Sequence, residues 1–117
     1  MPKPKINTAI PKRRYQYGEF QIVILGDVDT SEPVSYRYIM AAVQEGQQDP
    51  IIYLASIRNR RDEAEGGSHR LVLYTTENMQ ILDHSDEWKD LETFSRYGLE
   101  AMKQALGLTD EIPIQIN

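Results

Sequence analysis

The side chains that could carry chemistry are few. His69 and His84 are the only groups that titrate near neutrality when unperturbed. His84 stands between Asp83 and Asp86, a spacing in which an imidazole could share a proton or a metal ion with a carboxylate. A metal needs three or four converging ligands, and neighbours along a chain rarely converge, so an exposed helix entry is the expectation there. Ser68 precedes His69, but adjacent residues on an extended chain point apart, and no G-x-S-x-G elbow is present. Cysteine is absent, which removes thiolate catalysis, disulfides and sulfur-ligated zinc. No P-loop and no G-x-G-x-x-G occurs. We therefore expect no catalytic residue, no metal and no cofactor.

The stretch Ile22-Val23-Ile24-Leu25-Gly26-Asp27-Val28-Asp29-Thr30 superficially resembles the haloacid-dehalogenase phosphatase motif, an apolar strand followed by D-x-D. Gly26 interrupts the strand, the threonine falls one place early, and the chain is too short for the parallel sheet that motif requires. The same aspartates also resemble the start of a calcium loop. Glu32 stands where that loop needs glycine, and Tyr38 where it needs glutamate. A polar turn accounts for them better.

Two clusters remain. Arg58, Arg60, Arg61 and Arg70 crowd two predicted strand ends and their connecting loop. Tyr36, Tyr38 and Tyr53, with Tyr74, fall on neighbouring predicted strands. Rings that stack bases beside cations that follow phosphates are what a single-stranded nucleic-acid platform uses. Strands followed by one long helix with a tryptophan in its first turn are similar to the Whirly and PUR class of single-strand-binding domains, and that resemblance implies the same partner. Charge opposes it. Residues 1–14 carry five cations and no acid, but the rest of the chain carries 8 basic and 18 acidic residues. Nucleic acid is thus a runner-up partner for a body that repels phosphate backbones.

The elements that must position these residues follow from periodicity. A chain of 117 residues has room for one domain and one core. Residues 1–14, rich in proline and cations, are expected to be a disordered basic tail. Residues 15–108 form a single α+β domain, and 109–117 an extended arm or edge strand. Strands are predicted over 15–28, 51–57 and 70–76, with a short one over 79–82. Residues 32–45 read as strand, with Tyr36, Tyr38 and Met40 on one face; a helix capped by Ser31 is the alternative. Ser85 to Gly107 reads as one amphipathic helix with Trp88, Leu91, Phe94 and Met102 on its apolar face. Gly98 on that face implies a close neighbour. The expected fold is α+β, a mainly antiparallel sheet of four to five strands covered on one face by this long C-terminal helix.

One helix covers one face. Val23, Leu25, Ile39, Val43, Ile52 and Leu54 would leave the other face apolar, and Ile112, Ile114 and Ile116 make an apolar arm. Uncovered apolar surface on so small a body marks an interface. The expected partner is therefore a second copy of the chain, through sheet packing or arm exchange, or else another protein. The expected function is a small bacterial interaction or regulatory module, non-enzymatic and homodimeric. The alternatives are single-stranded nucleic-acid binding through the arginine loop, or a ligand or enzyme site in a dimer cleft. No apolar run spans a bilayer and no secretory signal is evident, so cytoplasmic residence is expected and no membrane partner.

Overall fold

The computed structural model describes residues 3–60 and 66–117. Seven strands form one antiparallel sheet: β1 (Thr8–Tyr17), β2 (Phe20–Asp29), β3 (Tyr36–Gln44), β4 (Ile52–Arg58), β5 (His69–Tyr74), β6 (Met79–Ser85) and β7 (Ile114–Gln115). The spatial order is β6-β5-β4-β3-β2-β1-β7, an up-and-down meander whose last strand returns to the first. One helix, α1 (Leu91–Leu106), packs on one face. The α+β class and the antiparallel pairing are as expected, and the strand count rises to seven. Among the described residues no helix is long and apolar enough to cross a membrane.

The extra strands come from the chain ends. Residues 8–14, expected to be disordered, are the first part of β1. This strand pairs with β2 through the tight turn at Gly18-Glu19, so that Tyr17 faces Phe20 and Tyr15 faces Ile22. Pro11 is tolerated because the register shifts between Pro11 and Arg13, where a ladder hydrogen bond is dispensable. Lys12 and Arg13 do not solvate a tail. Lys12 pairs with Asp27 at 2.8 Å and Arg13 reaches Glu92 of α1 at 2.7 Å. On the outer side of β1, Gln16 faces Ile114 of β7. Of the segment 32–45, Tyr36–Gln44 is strand, as favoured, while 32–35 bend into it and Glu45 turns out of it.

The helix is shorter than its wheel suggested. Ser85 caps a single 3-10 turn, Asp86–Lys89, and the chain then re-extends at Asp90. The Asp90 carboxylate accepts from the Thr93 backbone N–H and hydroxyl, each at 2.9 Å, and starts α1 afresh. Gly107, left-handed, ends it. The break lets Trp88 bury at the sheet, where Ser56 Oγ donates to the Trp88 carbonyl at 2.7 Å.

The main core lies between α1 and the sheet and includes Tyr15, Ile22, Ile24, Met40, Leu54, Leu71, Phe94 and Met102. Ile52 and Leu54, expected on the opposite face, belong here: Leu54 faces Met40 across the β3–β4 ladder, and Met40 points at the helix. The second face carries its own cluster of Tyr36, Ile39, Ala55, Ile57, Val72 and Tyr74, with Ile6, Val28 and Val34 packed against it. The chain supplies part of this cover itself. Lys5 N–H donates to Glu32 Oε1 at 2.7 Å, Thr30 Oγ1 donates to the Lys5 carbonyl at 2.5 Å, and Pro4 is buried. The N-terminal segment and the β2–β3 loop thus fold together over one end of that face.

Candidate functional site

The hairpins of the meander bring one end of β3, β4 and β5 together, and cationic residues collect there. Arg58 ends β4 directly opposite His69, which opens β5. Arg70 faces Ile57 and donates from Nη1 to Asn59 Oδ1 at 3.1 Å. Arg58, Arg60 and Arg70 share a cleft of about 550 Å³ with Glu32 and Asn59. Three of the four predicted arginines are therefore neighbours; Arg61 lies outside the described residues.

The tyrosines do not form one platform. Tyr38 lies under α1, its ring 5.6 Å from that of Phe94. Tyr36 is buried on the opposite face, and its hydroxyl donates to Glu32 at 2.8 Å. These residues stand two apart and an unbroken strand would put them on one side, but the β3–β4 register shifts between them. Tyr53 is half-buried on the second face. Burial and the Glu32 carboxylate push the Tyr36 hydroxyl well above the usual phenol range, and burial raises that of Tyr53. Buried rings stack on protein, not on bases.

A second cleft, also about 550 Å³, opens on the other side of Arg58. Arg37, Arg58, Ser68, His69 and Lys89 line it with Asp27. Arg37 is fixed there: its Nε donates to the Lys89 carbonyl at 3.1 Å and its guanidinium lies 4.9 Å from the Tyr38 ring centre. His69 is only 9% exposed. Burial lowers its pKa, and the charges of Arg37, Arg58 and Lys89 lower it further, against a smaller opposing pull from Asp86. Both effects favour the neutral imidazole. Contrary to the extended-chain expectation, Ser68 Oγ and His69 Nδ1 do meet, at 2.8 Å. They do not make a triad, because Asp86 accepts from the Ser68 backbone N–H at 2.7 Å and does not orient the imidazole. Arg37, Lys89 and His69 were not marked by sequence as a group. They come together only because a 3-10 turn returns the chain to the sheet end.

His84 sits apart from this cleft, its Nδ1 3.1 Å from Asn59 Nδ2. Among the described residues no group of three or more histidines and carboxylates gathers as a metal site would.

The predicted interface residues divide. Ile39 is fully buried within its own chain, so it is not surface at all; it stands between Leu25 and Ala55 of the flanking strands in the second-face cluster. Val23, Leu25 and Val43 are half-buried. Ile112, Ile114 and Ile116 are exposed, and the arm that carries them pairs with β1 of its own chain. Sequence reasoning missed Met79 and Ile81, 57% and 51% exposed on β6. Among the described residues that strand pairs with β5 on one side and with nothing on the other. Only the strand order reveals it as an edge.

Comparison with protein-family models, with curated proteins and with solved structures returns no match for this chain.

Proposed function

We propose that this chain is a non-catalytic interaction module that pairs with a second copy of itself along β6. The exposed edge carries the reading. Residues 79–82 hold neither charge nor proline, whereas the opposite edge, β7, is two residues long and follows Pro113. Short strands, prolines, charges and bulges are how sheet edges are ordinarily guarded; in β6 the bulge and Asp83 guard the far half, and residues 79–82 are left open. Beside it, Val72, Tyr74, Tyr36 and Ile57 floor a groove of about 330 Å³, with Met79 and Ile81 on its rim. A two-fold axis sets identical strands antiparallel. Centred on Gln80, it brings Met79 of one copy beside Ile81 of the other and continues the second-face cluster across the join.

Solution mass at tens of micromolar, by light scattering or sedimentation, tests this reading. The wild type is expected at twice the chain mass, and Ile81→Lys, which charges the edge without touching the helix-side core, at the chain mass. A monomeric wild type overturns the proposal, and so does a dimer indifferent to Ile81→Lys.

A further inference from the structure

The cleft between the sheet end and the 3-10 turn is built from unlike elements that aim charge at one place. Arg37 comes from β3, Arg58 from β4, His69 from β5 and Lys89 from the turn. Among the described residues, neither Arg37, Arg58 nor Lys89 has an acid within ion-pair distance, in a chain whose net charge is −5. The acids nearby are already engaged. Asp27 holds Lys12 at 2.8 Å, and Asp86 accepts from Ser68. Arg37, Arg58 and Lys89 outnumber Asp27 and Asp86, whose charges act on Arg37 and Lys89, so the wall beside the buried imidazole keeps a net positive charge that an anion in the cleft would offset.

We propose that this cleft binds a compact phosphate group carried by a small molecule, of the phosphomonoester class. Two guanidinium forks and an ammonium approaching from three elements suit a tetrahedral anion with several oxygens, whereas a lone carboxylate fills only one fork. The Arg37 side chain is held by the Lys89 carbonyl and the Tyr38 ring, so little rotamer freedom is lost when it binds. His69, with Nδ1 2.8 Å from Ser68 Oγ, adds a polar edge within the same wall. The volume, about 550 Å³, lies in the range of small-molecule sites. A polynucleotide fits less well, because the nearby tyrosines are buried and the body beyond the cleft is acidic.

Calorimetric titration of the full chain with phenyl phosphate, inorganic phosphate, acetate and a ten-nucleotide oligothymidylate tests the proposal. Phenyl phosphate and inorganic phosphate are expected to saturate a single site, with acetate at least about tenfold weaker. Arg58→Gln and Lys89→Gln should each weaken phosphate binding by at least about tenfold. Lys103→Gln, which removes a cation from the far end of α1, should leave it unchanged. Arg58→Lys, which keeps the charge and removes the fork, should fall between wild type and Arg58→Gln, and its circular dichroism reports whether the fold is intact. No saturable phosphate binding, equal weakening by Lys103→Gln, or an oligonucleotide that binds more tightly than phenyl phosphate would each overturn the proposal.

Discussion

Gly98 of α1 lies against Met40 of β3 so closely that a Cβ on the glycine would overlap the Met40 methyl, and it would stand 3.2 Å from a Leu54 methyl. Met40 and Leu54 are fully buried. Alanine at 98 would favour the helix by about 1 kcal/mol, yet the sequence spends that advantage to bring helix and sheet together. Gly98→Leu is therefore expected to destabilise the protein by about 3 kcal/mol despite its better helix propensity. Met40→Ala alone should cost about 2–5 kcal/mol. Urea melts of the double variant should show less than the summed loss, because the new leucine enters the space vacated by Met40. Strict additivity would mean that the two sites do not share that space.

His69 links stability to pH. Its folded pKa is depressed below the ordinary 6.5, so between the two values the unfolded chain binds more protons than the native one. Stability should thus be full above 6.5 and fall as the pH is lowered through that window. The carboxylates of Asp27, Asp86 and Asp90, held below 3.8 by their hydrogen-bond partners, act in a separate and more acidic range, where their contribution is lost as pH falls. Thermal melts in phosphate-free buffer between pH 7 and 5 should slope downward for wild type and less so for His69→Gln. Equal slopes would show that another group carries the proton.

Trp88 is buried, with its ring 4.9 Å from that of Tyr97, and its indole N–H has no hydrogen-bond partner among the described residues. Phenylalanine at 88 loses contact area but also removes a desolvated donor, a partial offset of about 1–3 kcal/mol. Trp88→Phe should cost about 1 kcal/mol, and Trp88→Ala about 3–5 kcal/mol. A phenylalanine variant as unstable as the alanine one would reveal a partner for that N–H.

Gly67 has φ of +151° and presses on the Ser85 backbone. Any Cβ there must displace the start of the 3-10 turn, in a backbone region that L side chains avoid. Gly67→Ala is expected to cost about 1–3 kcal/mol. It should also shift the amide resonances of Ser68 and Lys89 together, since both border the same cleft. By contrast, Glu92→Gln removes the surface pair with Arg13 and should change stability by no more than about 0.5 kcal/mol.

What was legible in the sequence was what rests on periodicity. Alternation from Phe20 to Leu25 and from Ile52 to Ile57 marks strands, and the 85–107 wheel marks the buried face of the helix. Features set by single hydrogen bonds were hidden. Asp90 looks like a solvent-facing helix residue until its carboxylate is seen to cap α1. β1 was obscured because its long polar side chains, Lys12 and Arg13, are satisfied by Asp27 and Glu92, partners far along the chain. The split between Tyr36 and Tyr38 depends on a register shift that no local residue preference announces. The cationic cleft was half visible. Arg58 and His69 fall at adjacent strand ends by simple counting, whereas Arg37 and Lys89 join only through tertiary return.

The pairing of Gln16 with Ile114 joins opposite ends of the described chain, while every other ladder joins consecutive strands. Closing such a long loop costs entropy that hairpins avoid, and only a few backbone bonds with exposed isoleucines repay it. This clasp is the natural place for native-state opening to begin. Amides of Arg14 and Ile116, which bond across it, should exchange with deuterium long before those of β3 and β4, and should do so without global unfolding. Opening there would bare the outer edge of β1 for brief intervals, so the sheet's second edge is guarded by kinetics as well as by Pro113.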